Sequence, residues 1–172
     1  SPGAVTIQED SGTNLTGVNT ANSLSLISAG TLTDDAAVSV TVSVNASFVA
    51  AGSLTLNDNA PDLYLITGNS SFSAATIDVA SPGSFRSGSI RFTATGNVTI
   101  FEDDSMVVSN TSSSNGGDIL LDSLLDVTIA AAVTISSTDG VVDSTAATGE
   151  SITIRGVNIE LMPGVVISTD ED

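Results

Sequence analysis

The chain has 172 residues, with 20 acidic side chains against three arginines, no lysine, histidine or cysteine, and a formal net charge of −17. That balance excludes nucleic-acid binding, which needs clustered Lys and Arg to displace counterions, and docking on anionic lipid. Without His and Cys, no Ser-His-Asp triad, thiol nucleophile or Cys/His zinc cluster can be assembled, and no apolar run reaches the roughly 18 residues that would span a membrane.

Hydrophobic residues make up 41% of the chain but aromatics only 3%. Such a composition predicts a narrow core of stacked Val, Ile, Leu and Ala. Zero cysteine suits an extracellular repeat protein held by continuous backbone ladders as well as a cytosolic one. The opening SPGAVTIQED has neither a basic nor an apolar signal region, so the chain reads as an excised piece of a longer protein.

Strand signals begin almost at once, with AVTIQE at residues 4–9. Next, SLSLISA (23–29), GTLTDD (30–35) and AVSVTVSVN (37–45) form one coil, and ASFVAAG (46–52), SLTLND (53–58) and LYLITG (63–68) form another. Residues 69–88, which contain Pro82-Gly83, fit poorly and predict an irregular connection. From residue 89 the pattern is strongest. SIRFTA (89–94), DILLDS (118–123) and SITIRG (151–156) each open a block. NVTIFE (97–102), DVTIAA (126–131) and VNIELM (157–162) follow, then MVVSN (106–110), VTISS (133–137) and VVIST (165–169). Three short alternating strands recurring about every thirty residues are the signature of a β-solenoid coil. No helix is expected, because Gly and β-branched residues interrupt any 3.6-residue apolar period. LLDSLLDVTIAAA (120–132) is read as strand.

The expected fold is therefore all-β: one parallel solenoid over 1–172 of roughly six coils, less regular in 1–88, with three regular coils in 89–172. Aligning the blocks stacks Ile90 on Ile119 and Ile152, Val98 and Ile100 on Val127 and Ile129, and Met106 and Val108 on Val133 and Ile135. Outward, Thr99 falls over Thr128, and Arg91 and Arg155 share a column separated by Leu120. GAVTIQED from Gly3 recurs as GNVTIFED from Gly96, which suggests a longer repeat of about three coils. Two acidic immunoglobulin-like sandwiches are the alternative fold.

SSSNGGDILLDS (112–123), TGNVTI (95–100) and MPGVVIST (162–169) resemble the Gly-Gly-x-Ile and Gly-x-x-Ile-Ser phrases of filamentous-haemagglutinin-type repeats in large bacterial secreted or surface proteins. EDSGTNLTGVNTANSLSL (9–26) is similar to the long tandem repeats of such proteins. The resemblance implies a right-handed parallel β-helix acting in adhesion, in a surface layer, or as a filament or stalk. The secretion-recognition segment of that family is not in this sequence.

Chemistry is sparse. The acidic residues read first as a surface coat, with cations as the small partners they favour. Calcium takes oxygens from carboxylates and carbonyls, and the candidates are Glu102, Asp103 and Asp104 after a strand, with Glu9-Asp10 as their counterpart and Asp34-Asp35 at another turn. The nearest approach to a polysaccharide-cleaving site is Asp103, Asp104 and Arg91, without a sign of convergence. Sequons at Asn14, Asn45, Asn69, Asn97 and Asn110 read as composition. No capping helix is evident at either end, so the ends are expected to meet more of the same protein, in a longer array or head to tail. The expected function is a non-catalytic extracellular scaffold or adhesive element. The alternatives are a calcium-stabilised adhesin recognising glycan or a cell surface, and a polysaccharide-active β-helix enzyme.

Overall fold

The structure is a computed structural model that describes residues 2–138 and 151–169. Among these the chain is all-β and winds as a parallel β-solenoid of about six turns. The windings follow one another as β1 (Ala4–Glu9), β2 (Thr13–Leu15) and β3 (Val18–Ala21), then β4 (Ser23–Ser28), β5 (Leu32–Asp34) and β6 (Ser39–Val42). Next come β7 (Ala46–Ala50), β8 (Ser53–Leu56) and the first part of β9 (Leu63–Ala74). The remainder of β9, β10 (Thr76–Val79) and the first part of β11 (Ser84–Ala94) make the following turn. The end of β11, β12 (Val98–Glu102) and β13 (Met106–Val108) make another, and β14 (Ser112–Ser114), β15 (Ile119–Ser123) and β16 (Val127–Ile129) the next. A further winding lies on either side of residues 139–150, with β17 (Thr134–Ser137) before them and β18 (Ile152–Arg155) and β19 (Ile159–Leu161) after; β20 (Val166–Thr169) lies over β17.

Every strand pairing is parallel, and each strand rests on its counterpart one winding earlier. The first face runs β1, β4, β7, the end of β9 and the end of β11, and then β14, β17 and β20. The second runs β2, β5, β8, β10, β12, β15 and β18. The remaining strands form the third face.

Alternation explains why these short segments are strands: successive side chains point in opposite directions, so one set is buried and the other solvated. In β7, Ala46, Phe48 and Ala50 are buried while Ser47 and Val49 are only partly so. Parallel strands spaced about 4.8 Å apart then stack the inward set into columns. One column passes from Ile7 to Leu26, Phe48, Phe72 and Phe92. The few aromatics are gathered rather than dispersed. Phe48 stacks on Phe72 with ring centroids 5.5 Å apart, Phe85 lies 5.9 Å from Phe72, and Tyr64 meets Phe48 edge-on at 6.4 Å. The middle of the core is aromatic, and the aliphatic filling expected from composition holds on both sides of it.

The coils expected at 23–45 and 46–68 are present as read, and 120–132 is strand to residue 123 and over 127–129, with a corner between and a turn at 131–132. Three expectations change. Residues 69–88 are not a loose connection but a further turn carried by β9, β10 and β11, with one register shift between Ser87 and Ser89. The block alignment is wrong by one strand in 89–110. Ile119 does pair with Ile152, but Ile90 sits beside Ser70 on another face. Val98 and Ile100 rest on Ile119 and Leu121, and Met106 and Val108 on Val127 and Ile129. Consequently Thr99 lies opposite Leu120 and Thr128 opposite Val107, while Arg155 lies opposite Asp122 and Arg91 opposite Ser71.

The cause is β14, whose sequence Ser-Ser-Ser carries no apolar residue. Ser112 and Ser114 nevertheless face inward and are buried. The Ser112 hydroxyl donates to the Asn110 carbonyl and accepts from the Phe92 N–H, and Ser114 donates to the Gly96 carbonyl. Satisfied in this way, a hydroxyl can replace a hydrophobe in the core. The third change concerns the recurring words GAVTIQED and GNVTIFED: β1 lies on the first face and β12 on the second, so they are not equivalent positions of a longer repeat.

Candidate functional site: acidic corners of the solenoid

A corner between faces leaves backbone N–H groups outside the ladders, and these need acceptors. Asn and Asp side chains reaching to the neighbouring winding supply them. Asn45 accepts from the Asn69 N–H at 2.9 Å, and Asn69 in turn accepts from the Ser89 hydroxyl. Asn97 accepts from the Asp118 N–H at 3.1 Å, and Asp118 from the Ser151 N–H at 2.8 Å. Asn14 binds Asp35 and accepts from Thr33, and Asn110 donates to Ser109. Asn14, Asn45, Asn69 and Asn97 are thus rungs between windings, whereas Asn110 binds its own chain neighbour.

The most elaborate corner follows β8. Asn57, fully buried and in the left-handed region at φ 64°, donates from its backbone to Asp34 Oδ2 at 3.0 Å and from its carboxamide to the Ala80 carbonyl at 2.7 Å. The buried Tyr64 hydroxyl donates to the same Asp34 oxygen at 2.6 Å. Asp62, also buried, accepts from the N–H groups of Val38 at 3.0 Å and Asn59 at 2.9 Å. Asp34, Asp58 and Asp62 bring carboxylate oxygens within 4.8 Å of one another. Burial pushes the Asp34 carboxyl above its ordinary range against the pull of Tyr64 and Asn57, with the Asp62 and Asp58 charges adding to the rise. The Tyr64 hydroxyl is likewise pushed up, by burial and then by Asp34. Three carboxylates at this separation are the kind of donor set a hard cation takes. Their oxygens on Asp62 and Asp34 Oδ2 already serve the backbone and Tyr64, so the corner is built to hold the turn closed. Sequence reading noticed Asp34 and missed Asp58 and Asp62, whose approach depends on the coil between them.

The expected calcium residues are arranged differently. Asp103 turns toward Arg86, whose Nε donates to Oδ1 at 3.0 Å, and accepts from Ser84 at 2.6 Å through Oδ2. That contact raises the Arg86 guanidinium above its usual value. Glu102 points inward and is fully buried, its Oε1 accepting from the Ser87 N–H at 2.6 Å. Asp104 lies against Glu102. The three carboxyls therefore do not converge on one point. Glu9 and Asp10, their expected counterparts, are exposed.

Arg91 donates to Ser71 at 2.9 Å; it is Arg86 that meets Asp103, so Asp103, Asp104 and Arg91 form no catalytic grouping. Arg91 lines a shallow groove of about 460 Å³ on the first face, with Thr6, Ser25, Ser47 and Ser71, and no carboxylate borders it. Geometry and topology define the class of the chain as a parallel β-solenoid. No family model, curated protein or solved structure matches it.

Proposed function

We propose that this chain is a non-catalytic scaffold or adhesive segment of a large bacterial secreted or surface protein, of the filamentous-haemagglutinin type, whose coils continue by stacking end to end. The observation that carries this reading is the all-parallel stack, in which each winding lies in register on the one before and the inward columns run on from winding to winding. In the first described winding Val5 and Ile7 are in register with the buried Leu24 and Leu26, and Ile7 is 41% exposed. In the last described winding Ile159, Leu161 and Ile167 occupy the columns of buried Val127, Ile129 and Ile135, yet are 48%, 52% and 41% exposed. Each winding of such a stack presents a core cross-section and strand edges that pair readily with further strands of the same kind. They run in the same direction, so one end suits the other and not itself; such heterologous contacts build fibres. The Gly-Gly-x-Ile and Gly-x-x-Ile-Ser phrases support the extracellular bacterial setting, and the acidic surface keeps a long rod from sticking sideways to its neighbours.

The test is sedimentation and electron microscopy of the chain across a hundredfold concentration range. The expectation is rods of uniform cross-section that lengthen with concentration, and shorter species when Ile7→Lys and Ile167→Lys place charges on the two ends. A monomer at every concentration, with the β1 and β20 amides protected from exchange, would refute end-to-end stacking.

A further inference from the structure

The corner joining β12 to β13 contains an unusual juxtaposition. Glu102 is 0% exposed, and only one of its oxygens is satisfied, by the Ser87 N–H at 2.6 Å. Its Oε2 and Asp104 Oδ1 are both buried without a hydrogen-bond donor, and the two carboxyl groups lie against each other. Two ionised carboxylates cannot share such a place, because each oxygen is an acceptor and burial strips water from both. A single proton removes the conflict, since a protonated carboxyl donates where a carboxylate only accepts.

We propose that Glu102 and Asp104 share one proton, which latches the β12–β13 corner closed and loosens it on leaving. The surroundings favour its placement on Glu102. Burial, followed by the Asp104 and Asp103 charges, pushes the Glu102 carboxyl up to about 8 against the pull of the Ser87 N–H. Asp104 is also raised by burial, and the Arg86 charge lowers it in part. The charged groups acting here are therefore Asp103 and Asp104 from the turn itself and Arg86 from β11. From β15 the neutral Ser123 packs on, donating to the Asp104 carbonyl, while the Leu124 N–H donates to the Glu102 carbonyl. Ser87 lies at the register shift of β11, so the latch also pins that irregularity.

The sign follows from linkage. An acid whose folded pKa lies above its unfolded value contributes stability that is complete below the unfolded value, near the ordinary 4.5, and is lost as pH rises through the folded value near 8. The experiment is urea unfolding of the full chain at about pH 5.5 and about pH 9, beside Glu102→Gln, whose amide can donate to Asp104 and accept from Ser87 at every pH. The wild-type unfolding constant should rise between the two conditions by at least about tenfold more than that of the variant. Equal pH dependence in the two proteins overturns the proposal. Should the variant fail to fold, carbon-13 carboxyl titration of the wild type decides it: Glu102 titrating near neutrality or above supports the latch, and titration in the ordinary glutamate range overturns it.

Discussion

Replacing Phe72 by Ala tests the idea that the windings are held together through their stacked core. Its side chain is 1% exposed, lies in register between Phe48 and Phe92, stacks on Phe48 at 11° between planes and tilts at 58° to Phe85. Phe→Ala in a packed core costs about 3–5 kcal/mol, and each aromatic pair adds about 0.5–1.5 kcal/mol beyond its area. With two ring partners lost and little room for neighbouring ladders to collapse, the expected cost is about 4–5 kcal/mol. That is a large part of the 5–15 kcal/mol typical of a domain. Phe72→Leu keeps most of the volume and should cost about 1–2 kcal/mol, and a Phe48→Leu/Phe72→Leu cycle should return a coupling of about 1 kcal/mol. The assay is urea unfolding followed by far-ultraviolet circular dichroism, with Tyr64 fluorescence as a local probe because its ring abuts Phe48. Stability in a solenoid is approximately a sum over nearest-neighbour interfaces, so weakening a middle one should also lower the unfolding slope as the two halves uncouple. A Phe72→Ala cost below about 1.5 kcal/mol, or a coupling near zero, would refute the reasoning.

Two corner residues, Gly68 and Asp62, are tested by further substitutions. A Cβ at Gly68 would lie 2.1 Å from the Val44 carbonyl oxygen, so Gly68→Ala should destabilise by about 1–3 kcal/mol or more in thermal or urea unfolding. Gly3→Ala, with nothing within 4 Å, should stay within about 0.5 kcal/mol of wild type. Asp62→Ala strips the acceptor from the N–H groups of buried Val38 and of Asn59, and bonds to a charged group are worth about 1.5–3 kcal/mol each. The expected loss is about 3 kcal/mol by the same assay, with Asp62→Asn recovering part of it. Unchanged stability in Asp62→Ala would mean that water replaces the carboxylate at this corner.

Alternating segments such as SLSLIS and ASFVA made the strands legible, and their short spacing made the solenoid legible too. The corner asparagines were visible in the sequence as sequons but not as ladders, and the expected column of Thr99 over Thr128 does not form. Asn45 over Asn69 and Asn97 beneath Asp118 depend on coils of unequal length. The Asp34, Asp58 and Asp62 corner was hidden for the same reason. Glu102 read as a surface acid because it precedes two others, whereas alternation along β12 turns it inward with Val98 and Ile100. That period-two signal was available in the sequence and was outweighed by its charge.

The amino-acid sequence by itself determined that this protein is built of short β-strands wound in parallel coils, because alternation and β-branching act locally and are visible residue by residue. Tertiary structure alone decided which strand lies on which. A period of two is satisfied on any face, so a slip by one strand leaves every inward residue inward, and local pattern cannot detect it. The choice is made by non-local matching: the aromatic stack of Phe48 and Phe72, the satisfied hydroxyls of Ser112 and Ser114, and corners whose side chains close only on one particular neighbour.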